Sequence, residues 1–307
     1  MNRSKMITAT ALATVMTAGA AQAEMSIGGL YFGSIYDNSG AATSHAESTN
    51  SIYVSYSDSL DNGMGLSVAV SMSKGGANKT DVNIDTGFGT LGLGDGQDSA
   101  VDAMDGGFHS SSLLWGPRFH TATDTVGFND GDSDSGNSIA YTSPSINGFT
   151  IKATRGFDDG ITDATNSVAV SGSVMGVSIA AGVSSIDRKD NGAERNALTG
   201  IGKDQDPSFV AVGYSIAGLN LGYAVYDEDD SATNGEETAM GVGTTIAGMG
   251  VGATFSERDT NTVDTDYTLF SITKSMGAAD FGVDYLETDP SNAASSDTIS
   301  FTYSVGF

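Results

Sequence analysis

The stretch Asp297-Thr298-Ile299-Ser300-Phe301-Thr302-Tyr303-Ser304-Val305-Gly306-Phe307 decides how this chain is read. From 299 onward its odd positions are Ile, Phe, Tyr, Val and Phe, while its even positions are Thr, Ser, Thr, Ser and Gly. Successive side chains of a β-strand point to opposite faces, so one face here is wholly apolar and the other small and polar. The sequence then stops on an aromatic residue. A strand with lipid on one side and water on the other needs this pattern.

Segments of the same period recur from residue 25 onward with almost no helical pattern between them. Sixteen are expected, at roughly 25–36, 50–60, 64–74, 80–87, 89–95, 137–143, 148–157, 166–174, 177–187, 208–216, 219–227, 237–246, 249–257, 265–274, 279–287 and 297–307. Seven connections between them are tight: those at 61–63, 87–89, 144–148, 175–176, 217–218, 247–248 and 276–278. Gly and Asn there supply the positive φ of hairpin turns. The other eight are longer and polar, and long and short alternate throughout. An up-and-down meander with all long connections at one end produces that order. Closing the sheet removes its edges, which lipid does not tolerate. The expected fold is therefore an all-β, 16-stranded antiparallel transmembrane barrel, a size that leaves an aqueous lumen. A secreted all-β adhesin or structural protein is the soluble alternative, but its strands should fill an interior with large apolar residues. The second face here reads as Ser, Thr, Gly and Ala.

Composition agrees. The chain has 41 Gly, 4 Pro and no Cys in 307 residues, which suits strands and turns and excludes thiol chemistry. Arg3 and Lys5, the apolar run Met6–Ala21 and the A-x-A site Ala21-Gln22-Ala23 read as a Sec-type signal peptide over 1–23, leaving a barrel domain over 24–307. The formal net charge is −25, and residues 1–23 hold two of the 13 bases and none of the 38 acids. So acidic a surface excludes nucleic acid as a partner.

Residues 96–136 form the one connection far above the usual length, and a segment of that kind is functional or disordered. It carries Asp98, Asp102, Asp105, Asp124, Asp130, Asp132 and Asp134 against a single base, Arg118, together with His109, His120, Leu113-Leu114-Trp115 and Phe119. Taken with the signal, the first strand Met25-Ser26-Ile27-Gly28-Gly29, the run Gly94-Asp95-Gly96-Gln97-Asp98 and the last aromatics Tyr303, Val305 and Phe307, the chain resembles Gram-negative general diffusion porins. Those of alphaproteobacteria such as Rhodobacter are most similar. The resemblance implies a third loop, 96–136, folded into the barrel as a constriction, a homotrimer in the outer membrane, and passage of small hydrophilic solutes and ions. It implies Asp98, Asp102, Asp105, Trp115 and Arg118 as constriction residues, and Tyr303, Val305 and Phe307 as a signal read by the assembly machinery. Such porins usually set arginines and lysines on the wall facing that loop. Here the inward positions of the first strands are Phe32, Ser34, Ser51, Tyr53, Ser67, Ala69 and Ser71, with Lys74 and Lys79 at a strand top. Lys152 is the clearest basic residue for the lumen, and Arg155 has the opposite parity.

Asp130, Asp132 and Asp134 alternate as in a calcium loop, but the glutamate that would complete an EF-hand is missing, and a solvated acidic loop is the simpler account. Asp227 to Asp230 and Glu236-Glu237 read as external acidic tips, solvated or holding divalent cations that bridge lipopolysaccharide. No cofactor is expected. His45, His109 and His120 all fall in connections, and neither G-x-S-x-G nor H-E-x-x-H occurs, so a non-enzymatic chain is expected, with an outer-membrane hydrolase as the enzyme alternative. Phe307, the last residue of the alternation, is expected to make few packing contacts.

Overall fold

The structure, a computed structural model, describes residues 24–38, 44–73, 78–95, 100, 137–157, 162–188, 206–228, 235–260 and 263–307. The signal segment and nearly all of 96–136 lie outside these residues. The strands are β1 (Glu24–Asn38), β2 (Ser44–Ser59), β3 (Gly65–Ser73), β4 (Asn78–Asp85), β5 (Thr90–Gly94), β6 (Ser138–Thr142), β7 (Phe149–Phe157) and β8 (Thr162–Val174). They continue as β9 (Val177–Arg188), β10 (Ser208–Ile216), β11 (Leu219–Glu228), β12 (Gly235–Ile246), β13 (Met249–Thr260), β14 (Asp264–Met276), β15 (Ala279–Pro290) and β16 (Ser296–Gly306). Each pairs antiparallel with its sequence neighbours, and β1 pairs with β16 to close the barrel. All sixteen expected strands are present. Several run past the apolar periodicity at the rim of the long connections: β13 reaches Thr260 and β15 reaches Pro290. Backbone pairing does not need apolar side chains, so the ladder continues where the sequence turns polar.

The decisive stretch lies as its alternation requires. Ile299, Phe301 and Val305 point outward and are 54%, 42% and 40% exposed, while Ser300 and Thr302 point inward and are 1% and 0% exposed. The same parity, carried from strand to strand by register, puts Ile52, Val210, Val212, Leu221, Met240, Phe270 and Val283 on the outside. No helix among the described residues is long and apolar enough to cross a membrane; the strands cross instead.

Short turns at one rim set the register. Ile216 faces Leu219 and Ile246 faces Met249, each across a two-residue turn. Positive φ at both turn residues defines the hairpin type whose twist matches the strands. Met175, Ala217 and Ala247 take φ of 54°, 51° and 53° ahead of their glycines, so side chains other than Asn accept the left-handed position here.

The closure seam corrects the expectation for Phe307. Its N–H donates to Gly29 O at 3.1 Å and its O accepts from Gly29 N at 2.8 Å. Its ring lies over Gly29, where a Cβ would come within 2.2 Å of the Phe307 Cζ, and Tyr303 covers Gly33 in the same manner, with a Cβ 2.6 Å from its hydroxyl. Tyr303 also stacks on Tyr31 at 5.8 Å between ring centres. Glycines on one strand thus receive aromatic rings from the other, which pins the register of the pair. Phe307→Ala is expected to lower the unfolding free energy of the barrel in lipid vesicles by about 1 kcal/mol. Ala247→Asn, which relieves the left-handed alanine, is expected to raise it by about 0.5 kcal/mol. Urea titration of the folded barrels checks both; no change in the first would leave the seam without an energetic role.

Candidate functional site

The inner surface of the barrel is the site, and it has two unlike halves. On β8 to β15 the inward positions include large side chains that the alternation alone did not mark. Phe209, Tyr226, Tyr267, Leu269 and Leu286 are buried there in one cluster with Ala169, Ala180, Ala211, Ala224 and Ala239. The expected uniformly small polar inner face is therefore corrected: alanines leave room between which bulky residues lie against the wall. Each of β6 to β16, and β1, has at least one buried inward residue, from Ser138 and Thr154 round to Thr302 and Ser34. On β3 and β4 no described inward residue is buried, and Tyr53 of β2 is 41% exposed. The inner wall is thus least covered along β3 and β4, where the inward residues are half-buried and Asp85 is exposed, while Ser51 of β2 and Gly92 of β5 on either side are buried.

The chain leaves the barrel for the long third connection through a built corner. Gly94 has φ 137°, and a Cβ there would lie 1.9 Å from the carbonyl oxygen of Thr80. Asp95 accepts a hydrogen bond from Thr80 N through Oδ1 and donates its own N–H to Thr80 O at 3.1 Å. Ala100 then lies fully buried within the inner cluster, its N–H donating to Ser167 Oγ on the inner face of β8 at 2.7 Å. Asp98, Asp102, Asp105, Trp115, Arg118, Asp130, Asp132 and Asp134 lie outside the described residues, as do His109 and His120.

Lys152 sits on the inner face of β7, half-buried, between Thr142 of β6 and Ala169 of β8. Arg155 points outward near the rim and donates to Asn166 Oδ1 at 3.0 Å. Sequence reasoning missed Glu237 and Asp284, which are buried on the inner face of β12 and β15, and Arg258, which faces Glu237 from β13. Strict parity would have found all three. Glu237 in particular is not part of an external tip, because it stands on the face opposite to Glu236.

Outside, the rim of the long connections carries an acidic band. Asp227 faces Glu236, Glu236 faces Asp259 and Asp259 faces Asp264 across successive strands. Below them Glu257 faces Asp266, Asp266 faces Asp289, and Glu287 faces Asp297. All nine are exposed. Like charges directly opposite repel. Among the described residues there is no group of three or more His, Asp or Glu side chains placed to hold a metal ion.

A closed transmembrane barrel, apolar outside and polar along one side of its lumen, defines an outer-membrane channel protein. The sequence matches the Gram-negative porin family over residues 8–307, and the chain belongs to that family, whose place is the cell outer membrane. No curated protein matches the sequence. Among solved structures, the chain is similar to an anion-selective porin from Comamonas acidovorans, with 12% identity and TM-score 0.68 over 93% of this chain and 100% of the other. It is similar to the trimer form of in-vitro folded OmpT from Vibrio cholerae, with 13% identity and TM-score 0.66 over 93% and 99%. A variant of Rh. blastica porin gives 17% identity and TM-score 0.67 over 92% and 100%. These likenesses concern the fold.

Single cysteines can report the two halves of the lumen, since the chain has none of its own. Ala69→Cys on β3 is expected to react with a small charged thiol reagent at least about tenfold faster than Ala211→Cys on β10, because reactivity follows exposure. Equal rates in the folded barrel would mean that the inner wall is evenly covered.

Proposed function

We propose that the chain forms a water-filled channel for passive diffusion of small hydrophilic solutes and ions, cation-preferring and trimeric, of the alphaproteobacterial kind. One observation carries the reading: a closed wall, apolar outside, whose inner face along β3 and β4 is polar with no buried inward residue. Residues 96–136 act as the constriction, with Asp98, Asp102, Asp105, Trp115 and Arg118 at the narrow point. The inward start of this segment, where Ala100 bonds to Ser167, favours that path. The cation preference follows from seven aspartates against one arginine in the segment. A lumen of one charge sign inside low-dielectric walls concentrates counter-ions. Homotrimer formation is inferred from the family and from the trimer form of the OmpT structure.

Residues 1–23 direct Sec-type export, and Tyr303, Val305 and Phe307 are read by the assembly machinery. The outward acidic band takes lipopolysaccharide as its partner through bridging divalent cations, which relieve the facing carboxylates. Calcium at Asp130, Asp132 and Asp134 is the weaker metal reading beside this. The outward Ile52, Val210 and Phe270 favour a membrane barrel over a secreted adhesin, and the porin family favours a channel over an outer-membrane hydrolase.

In planar bilayers the purified protein is expected to open stepwise channels. Reversal potentials across a KCl gradient should favour potassium near 0.1 M salt and less so near 1 M, where the screening length falls from about 10 Å to about 3 Å. Deleting residues 100–130 should enlarge the single-channel conductance; unchanged conductance would put that segment outside the pore. Chelating divalent cations in lipopolysaccharide-containing vesicles should lower the melting temperature of the wild type. It should do so much less for a variant carrying Glu236→Gln, Asp259→Asn and Asp266→Asn, and an equal loss in both would remove the bridging role.

A further inference from the structure

Each short turn between β8 and β15 has a tip without a polar side chain. The two-residue tips are Met175-Gly176, Ala217-Gly218, Ala247-Gly248 and Gly277-Ala278. Turns of this type in water favour Asn and Asp. Met175 is 96% exposed, and Val174, Ile216, Ile246 and Met276, the last outward residues before the tips, are exposed as well. The apolar outer face therefore runs unbroken into the turns. On β11 to β14 the first outward acids are Asp227, Glu236, Glu257 and Asp266. From the turns to these acids the tilted strands climb about 20–25 Å, about the height of the apolar band of a transmembrane barrel. No strand length is left over for a wet collar below that band.

The turn carbonyls are capped from within the protein. Gly218 O accepts from Thr244 Oγ1 at 2.8 Å, and Gly248 O accepts from Lys274 Nζ at 2.8 Å. Ala278 O accepts from Gly306 N at 2.9 Å, and Gly176 O accepts more loosely from Ser215 N at 3.4 Å. In each case the donor comes from the next hairpin round the rim, on β10, β12, β14 or β16. A turn in water needs no such partner, because water supplies it, whereas a turn among lipid does.

We propose that the short-turn rim over β8 to β15 is a lipid-binding surface, its tips seated in the phospholipid leaflet on that side, where acyl chains meet headgroups. Lys274 fits this layer, with its stem on the apolar wall and its ammonium at a tip. The opposite arc is built differently. The turn between β2 and β3 carries Asp61 and Asn62, both exposed, and Asp58 stands outward just before it. The barrel is thus held deeper along β8 to β15 than at β2 and β3. The inference goes beyond the channel reading and needs only the membrane barrel.

The test uses the full-length protein folded into phosphatidylcholine vesicles, with single cysteines carrying a small fluorophore, since the chain has none of its own. Met175→Cys and Ala247→Cys place the label at two tips. Val212→Cys, on the lipid-facing wall, and Asp61→Cys, at the polar turn, are the dry and wet references. Brominated lipid should quench both tip labels at least about half as strongly as the label at 212, and aqueous iodide should quench them at least about threefold less than the label at 61. In purified vesicles no other protein is present, so dry tips can owe this only to lipid. Iodide access at either tip equal to that at 61 would overturn the inference and leave the apolar tips for a protein partner. Planar-bilayer conductance of the same labelled proteins separates the two readings: lipid-quenched tips without channels would remove the channel and leave this inference standing.

Discussion

A backbone N–H or C=O in hydrocarbon has no water to bond to, and every other feature of this molecule depends on that. Sixteen paired strands satisfy the constraint everywhere but at the first and last, so β1 and β16 must find each other. The seam is built for this meeting. Gly29 and Gly33 present bare backbone outward, and the rings of Phe307 and Tyr303 lie on them. Aromatic contacts then continue away from the seam on the lipid side, from Phe301 to Phe281 and from Tyr285 through Phe270 to Phe255. The lipid face of the closure thus carries these rings beside the branched chains of Ile35, Ile299 and Val305.

Lipid makes one demand on the outer face, and that face is uniform. Water makes several on the inner face, which is not. On β8 to β15, phenylalanine, tyrosine and leucine lie among alanines as one buried cluster. Along β3 and β4, where Ser, Ala and Gly flank polar side chains, no inward residue is buried. Among the inward carboxylates, Glu237 and Asp284 stand in covered wall.

The two rims differ for related reasons. The short-turn rim has little chain to spare, and its conformation is set by residues such as Ala217-Gly218 and Ala247-Gly248, where both φ values are positive. At the other rim the strands outrun the apolar band, and carboxylates from neighbouring strands stand directly opposite one another. That juxtaposition is invisible along the chain, because Asp227, Glu236, Asp259 and Asp264 come from four different strands.

The sequence by itself determined the strands, their number, the alternation of short and long connections, and which face of each strand meets lipid. Those follow from a period of two and from turn residues, which are local properties, so Ile299, Phe301 and Val305 could be placed without any neighbour. Lys152 could likewise be given its inward face from parity alone. What lies beside a residue is not local. Register decided that Asp81 stands between Ala69 and Gly94, that Glu237 faces Arg258, and that Phe307 rests on Gly29. Only the folded barrel decided which stretch of inner wall is covered, because burial there depends on side chains from several strands meeting in one cluster. Parity says which way a side chain points; only packing from the rest of the wall says whether it meets water.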